Sequence, residues 1–203
     1  MKAWLGARFY IASFLVLGPY VPVMNTATPS RYTGTAIVLH WVLGLALLVS
    51  FGVGWYMADL PLTPWRLKLY NWHKWAGMTI LALSALRLGW RLTHRPPADL
   101  PAPAWQIKAA HATHNLLYLL FFVVPLVGWA YSSAAGFPIV VFGVLPLPDF
   151  VPADKALAEA IKPWHEWLAW AMVLLVLGHA AAAVKHHFID RDGLMSRMWI
   201  NKN

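Results

Sequence analysis

Residues 164–185 read WHEWLAWAMVLLVLGHAAAAVK, an apolar run long enough to cross a bilayer with a histidine near each end. Ionisable side chains are costly inside a membrane, so those that occur there are usually functional. His165 and His179 are fourteen positions apart. On an α-helix that is about 21 Å along the axis and about 40° in azimuth. One helix thus presents two imidazoles on one face, near opposite sides of a membrane, a geometry that suits two flat redox groups held one above the other.

The rest of the chain agrees with a membrane setting. Of 203 residues, 60% are hydrophobic and 12% charged, against about 25% charged in soluble domains. Spans are expected near Ala36–Met57, Trp72–Arg91, His111–Tyr131 and Trp164–Lys185. Four such helices form one all-α integral membrane bundle. The formal charge of +8 is not gathered into a nucleic-acid-binding stripe but divides by loop. The N-terminal segment, the loop after the second span and the C-terminus hold eleven Lys and Arg, and the other loops with their helix ends hold five. The positive-inside rule then sets both termini on the cytoplasmic side. With no cysteine there is no disulfide, thiolate-held iron–sulfur cluster or c-type haem attachment.

Residues 1–30 read as an N-terminal extension, 31–199 as the transmembrane domain and 200–203 as a tail. Lys2 and Arg8 precede a short apolar stretch, Phe9–Leu17, interrupted by Gly18, Pro19 and Pro22. It is too short to span and has the look of a signal-peptide core. Cleavage after export would leave Arg31 outside, against the charge census, so a dispensable or interfacial extension is favoured, with Met24 as a second candidate start. Pro61 and Pro64 are expected to keep Ala58–Asn71 non-helical, and Pro125 to kink the third span. The apolar loop Ser132–Pro163 reads as a lid folded onto the outer face. Many of the thirteen tryptophans, Trp41, Trp72, Trp75, Trp90, Trp164 and Trp167 among them, lie near span ends, as an interfacial belt does.

Depth pairs the histidines. His40 lies about one turn into the first helix from the inside and matches His179; His73 and His165 begin the second and fourth helices on the outside. Two imidazoles from different helices are the axial set of a six-coordinate b haem, which carries electrons because both axial positions are filled. A buried, hydrogen-bonded histidine would explain any one of these residues but explains four in depth-matched pairs poorly. Zinc is disfavoured because each pair lacks a nearby carboxylate or thiolate.

Neighbouring residues fit more than one role. Gly44 and Gly77 follow His40 and His73 by four, where they either clear room for a macrocycle or serve helix packing. Arg87 shares the face of His73 at the inner side, as a propionate partner or a snorkelling cation. Lys74 either holds outer propionates, attracts an anion or anchors the interface. His111 and His114 are expected to open the third helix and to donate to a propionate or a quinone carbonyl, with His114 also a replacement ligand for His40 or His179. His186 and His187 are interfacial or, with Lys185, part of a quinone pocket.

The ordered pieces Arg31-Tyr32, Leu39-His40-Trp41, His73-Lys74-Trp75-Ala76-Gly77, Trp164-His165-Glu166, Gly178-His179-Ala180-Ala181-Ala182, His186-His187-Phe188 and Arg191-Asp192-Gly193 resemble the bacterial cytochrome b561 family, related to the cytochrome b subunit of nickel–iron hydrogenases. The resemblance runs from Arg31 to Trp199. It implies four helices, two non-covalent bis-histidine b haems ligated by His40, His73, His165 and His179, and electron exchange with ubiquinone or another quinone in the bacterial inner membrane. The chain is most similar to short stand-alone members, some of which are superoxide oxidases. A cationic entrance at Arg66, Lys68 and Lys74 would steer superoxide toward the outer face. The sequence itself identifies no catalytic residue. The competing reading is a membrane anchor and electron conduit for a dehydrogenase or hydrogenase, served by a redox protein. A small transporter would want inverted repeats or broken helices with charged midplane residues, which are lacking.

Overall fold

A computed structural model describes residues 30–200; Phe9–Leu17 and Met24 lie outside the described residues, as do positions 201–203. Four long helices account for most of the described chain: α1 (Gly34–Ala58), α2 (Pro64–Thr93), α3 (Ala104–Ala134) and α4 (Lys155–Lys185). A π-helical turn, His186–Asp190, and a 3-10 turn, Met195–Met198, follow. Consecutive helices pack on one another, and all four contribute to one apolar core of Leu43, Leu47, Ile80, Leu117, Leu120, Phe121, Val124 and Met172. This is an all-α membrane bundle. α1, α3 and α4 with its π-helical extension are each long and apolar enough to cross a membrane. α2 carries Arg66, Lys68, Lys74, Arg87 and Arg91 toward its two ends and keeps Trp75–Leu86 uncharged between them.

Local chemistry places the helix starts. Thr33 accepts from the Ala36 amide, Thr63 from that of Arg66 (each 3.3 Å), and Asp154 from that of Leu157 (3.0 Å). Each oxygen satisfies one of the donors a helix leaves free at its N-terminus. Pro64 therefore starts α2 instead of delaying it, because proline's fixed φ and missing N–H suit the first helical position. α3 likewise begins at Ala104, about two turns before His111, and continues through Pro125 to Ala134; α4 begins at Lys155 and contains Pro163. The sequence-derived spans are thus the apolar middles of longer helices. His73 and His165 stand nine and ten residues inside their helices, where they were expected at the start.

The α3–α4 connection is correspondingly short. It contains an antiparallel hairpin, β1 (Val140–Val141) and β2 (Leu145–Pro146), in the register Val140↔Pro146 and Val141↔Leu145. Its root docks on α2: the Trp75 indole donates to the Val140 carbonyl (2.7 Å), and the Lys74 ammonium to those of Phe137 and Pro138 (3.3 Å each). This is the hairpin end of the bundle. At the other, the Tyr32 end, residues 194–199 strap across the helix ends. Trp41 donates to the Met198 carbonyl and Arg31 to that of Trp199 (2.8 Å each), while Arg197 donates to Ala98 (2.6 Å).

Candidate functional site

The bundle brings the histidines together in two layers separated by the apolar core. At the hairpin end the rings of His73 and His165 have centroids 6.0 Å apart with an interplanar angle of 84°. At the Tyr32 end His40 and His179 are also 6.0 Å apart, at 73°. α1 and α4 are not among the closely packed helix pairs of the described residues, so the Tyr32-end rings face one another across a gap.

The hairpin-end imidazoles are seated in the same way on two different helices. His73 Nδ1 lies 3.0 Å from the Ser50 carbonyl on α1, with the Ser50 hydroxyl at 3.3 Å. His165 Nδ1 lies 3.1 Å from the Val124 carbonyl on α3. A carbonyl oxygen only accepts, so each Nδ1 carries the proton and each Nε2 keeps its lone pair. Four residues after each carbonyl stands a glycine. A Cβ on Gly54 would lie 3.0 Å from His73 Cε1, and one on Gly128 would lie 2.8 Å from His165 Cε1. Both rings therefore rest directly on a neighbouring backbone, and a side chain at either glycine would push them off.

At the Tyr32 end the buried Nδ1 of His40 has no hydrogen-bond partner among the described residues. His179 faces a second imidazole, His114, at 5.2 Å. These three histidines line an open cleft together with Arg87, Arg91, His94, Tyr118 and Met198. Arg87 and Arg91 lie over the Tyr118 ring at 5.4 and 5.6 Å. His94 stacks on Trp90 at 3.7 Å and 7°. The cleft is thus rich in cations and hydrogen-bond donors beside its paired imidazoles.

The remaining predicted residues have varied surroundings. His111 does not accompany His114: it is exposed, with Nε2 3.1 Å from an Asp99 oxygen. Lys74 is engaged with the hairpin carbonyls, and Arg66 donates to the carbonyls of Ala58 and Leu60. Two of the three proposed entrance cations therefore hold backbone. Gly44 and Gly77 face open space, with nothing among the described residues within 4 Å of a Cβ at either. His186 bonds Asp192 (2.6 Å) and Lys185 pairs with Asp190, outside the cleft. Sequence reading missed Ser50, Gly54, Val124, Gly128, His94 and Tyr118. The available signal was a glycine in α1 and another in α3 at the depth of the hairpin-end histidines.

A metal bound at about 2 Å to a nitrogen of each ring fits gaps of this size, and a neutral donor pair without carboxylate or thiolate suits a haem iron. Apolar helices that present facing imidazoles at two depths are the architecture of a membrane b-type cytochrome.

The comparisons with known proteins give the particular family. The profile of prokaryotic cytochrome b561 matches residues 31–200. Cytochrome b561 homolog 2 of Escherichia coli K12 is 35% identical over 175 residues, 85% of this chain and 93% of that protein. Cytochrome b561 homolog 1 of the same organism is 31% identical over 83% of this chain and 97% of its own length. The probable superoxide oxidase CybB of Yersinia pestis is 29% identical over 85% and 97%. The chain belongs to the prokaryotic cytochrome b561 family, and so is a haem-binding electron-transport protein of a membrane.

Proposed function

We propose that the chain holds two b haems in a bacterial inner membrane and passes electrons from an outer donor at the hairpin end to a quinone at the inner, Tyr32 end. His73 and His165 hold one haem; His40 and His179 hold the other. The observation that carries this reading is the matched seating of His73 and His165, each with Nδ1 on a helix carbonyl and Nε2 left free. A hydrogen bond at the remote nitrogen fixes the tautomer and strengthens the donor. A haem held by these imidazoles would supply reversible one-electron carriage.

The protein's own residues do the rest. Gly54 and Gly128 admit the rings to the neighbouring backbones, and Gly44 and Gly77 leave open space beside their histidines for a macrocycle edge. Arg87, with Arg91, supplies positive charge for propionates at the Tyr32 end, and Lys74, next to His73 in the chain, holds the hairpin. In the Tyr32-end cleft, His114, His94 and Tyr118 offer hydrogen bonds to a quinone ring and protons to its oxygens. The proposed donor is superoxide, as the name of the Yersinia relative supports. Two superoxide anions give up one electron each and leave as dioxygen; the quinone takes both electrons and two protons to become quinol.

The test uses haem-loaded protein in vesicles containing ubiquinone, with superoxide generated enzymatically. One quinol per two superoxides, abolished by superoxide dismutase, is expected. Reduction by dithionite but not by superoxide would assign the donor to a redox protein and favour the conduit reading.

A further inference from the structure

Residues 137–148, FPIVVFGVLPLP, contain no charged or hydrogen-bonding side chain. It lies within the loop Ser132–Pro163 that was expected to fold as a lid, and its root is packed: Ile139 is 1% exposed beside the Lys74 and Trp75 contacts. Its tip is uncovered. Phe142 is 63% exposed, Val144 80% and Leu145 60%. The turn is closed by the Val144 amide donating to the Val141 carbonyl (3.1 Å), with Phe142 and Gly143 between them at φ 53° and 74°. Two positive φ angles in succession favour Asn-Gly or Asp-Gly. A bulky aromatic in that region is strained, and an observed strain of this kind invites a functional explanation. Here the backbone holds a phenyl ring outward where a water-facing turn would carry a polar residue.

The position of the hairpin identifies its surroundings. The facing rings of His73 and His165 put residues 72–75 of α2 and 164–167 of α4 at one level of the bundle. The exposed Trp72, Trp164 and Trp167 share it, while Lys155, Glu159 and Lys162 lie farther out on α4. Tryptophans flanked by charged turns mark the boundary between membrane and water. The hairpin hangs from Lys74 and Trp75, at that boundary. Part of its backbone is also prepared for an apolar medium: the Gly143, Val144 and Leu147 amides donate to the Val140, Val141 and Ile139 carbonyls, and Pro138, Pro146 and Pro148 carry no N–H.

We propose that the hairpin tip, formed by Phe142, Val144 and Leu145, inserts into the hairpin-end leaflet of the bilayer as an interfacial anchor. Its root flanks His73, so the anchor fixes the depth of the hairpin-end histidine pair relative to the lipid surface. A specific protein partner needs roughly 1,000 Å² of matched interface, whereas lipid needs no matched surface. The inference rests on the membrane bundle alone and stands whatever the electron donor.

The chain has no cysteine, so Phe142→Cys and Val144→Cys each give a unique site for a nitroxide label. The variants are loaded with haem and reconstituted into phosphatidylcholine–phosphatidylglycerol vesicles, with Glu159→Cys as the water-facing reference. Collision with oxygen several-fold above that with a water-soluble nickel chelate at 142 and 144, reversed at 159, is the expected result. Chelate access at 142 and 144 equal to that at 159 would place the tip in water and overturn the proposal. Shielding from both relaxants would place it against protein and overturn it equally. Should the strained position not tolerate cysteine, judged by the haem spectrum, Val144→Cys decides alone.

Discussion

Gly128→Ala isolates what seats a histidine in this bundle. The added Cβ would stand 2.8 Å from Cε1 and 3.0 Å from Nδ1 of His165, whereas ordinary contact begins at 3.4 Å. The opposing atoms are ring and helix backbone, so the imidazole has to move away by about 0.6 Å. That takes its 3.1 Å bond to the Val124 carbonyl past the range of a hydrogen bond. Overpacking and an orphaned buried donor each cost about 1–3 kcal/mol, and loss of such an outer partner typically weakens metal affinity 10–100-fold. The variant should lose the hairpin-end haem on dilution or, where it is retained, hold it at a higher potential, because a weaker imidazole donor favours the ferric state less. Gly54→Ala, at 3.0 Å from His73, should show the same effect more weakly, and Gly52→Ala, with nothing within 4 Å, should show none. The assays are haem content after gel filtration and a potentiometric titration of the visible bands. Full retention with an unshifted potential in Gly128→Ala would refute the seating argument.

Three further outcomes are expected. His179→Ala should leave a red protein with about half the haem, because the hairpin-end pair is untouched; unchanged content would dissolve the His40–His179 assignment. His114→Gln should slow electron exit to quinone without changing reduction by the outer donor, whereas His111→Gln, which loses only an exposed contact with Asp99, should cost at most about 1 kcal/mol of stability and leave both rates alone; stopped-flow traces separate the two steps. Burial raises the Asp192 pKa, but the Leu194 amide and the His186 imidazole outweigh it and hold the carboxyl below its ordinary value of 3.8. A depressed carboxylate stabilises the fold above the unfolded pKa and loses that contribution as pH falls through the folded one. Hydrogen exchange over residues 194–199 should therefore quicken below about pH 4, and Asp192→Asn should remove that acid dependence.

The four helices and the depth pairing of the histidines were legible because both follow from apolar runs and from the 3.6-residue repeat. The outer helix ends were not. Pro64–Asn71 of α2 and Lys155–Pro163 of α4 are helical turns that carry charge, and a hydropathy reading stops where the charges begin. The seats of His73 and His165 were hidden for a different reason. Gly44 and Gly54 look alike in the sequence, yet one faces open space and the other a ring, a distinction made by the crossing of two helices. The divergence of His111 and His114 has a similar cause: residues three apart share a broad face, but only His114 reaches the cleft, while Asp99 in the preceding connector holds His111 outside it. The apolar connector was recognised as folded, but its turn at Phe142 and Gly143 depends on backbone angles that composition does not reveal.

The most direct test of the central claim is haem stoichiometry measured with axial ligation on one purified sample, by pyridine haemochrome assay against protein mass and by low-temperature electron paramagnetic resonance. Two b haems per chain, both low-spin with bis-imidazole signals, are predicted. One haem per chain, or a high-spin signal from a site with an open axial position, would contradict the account.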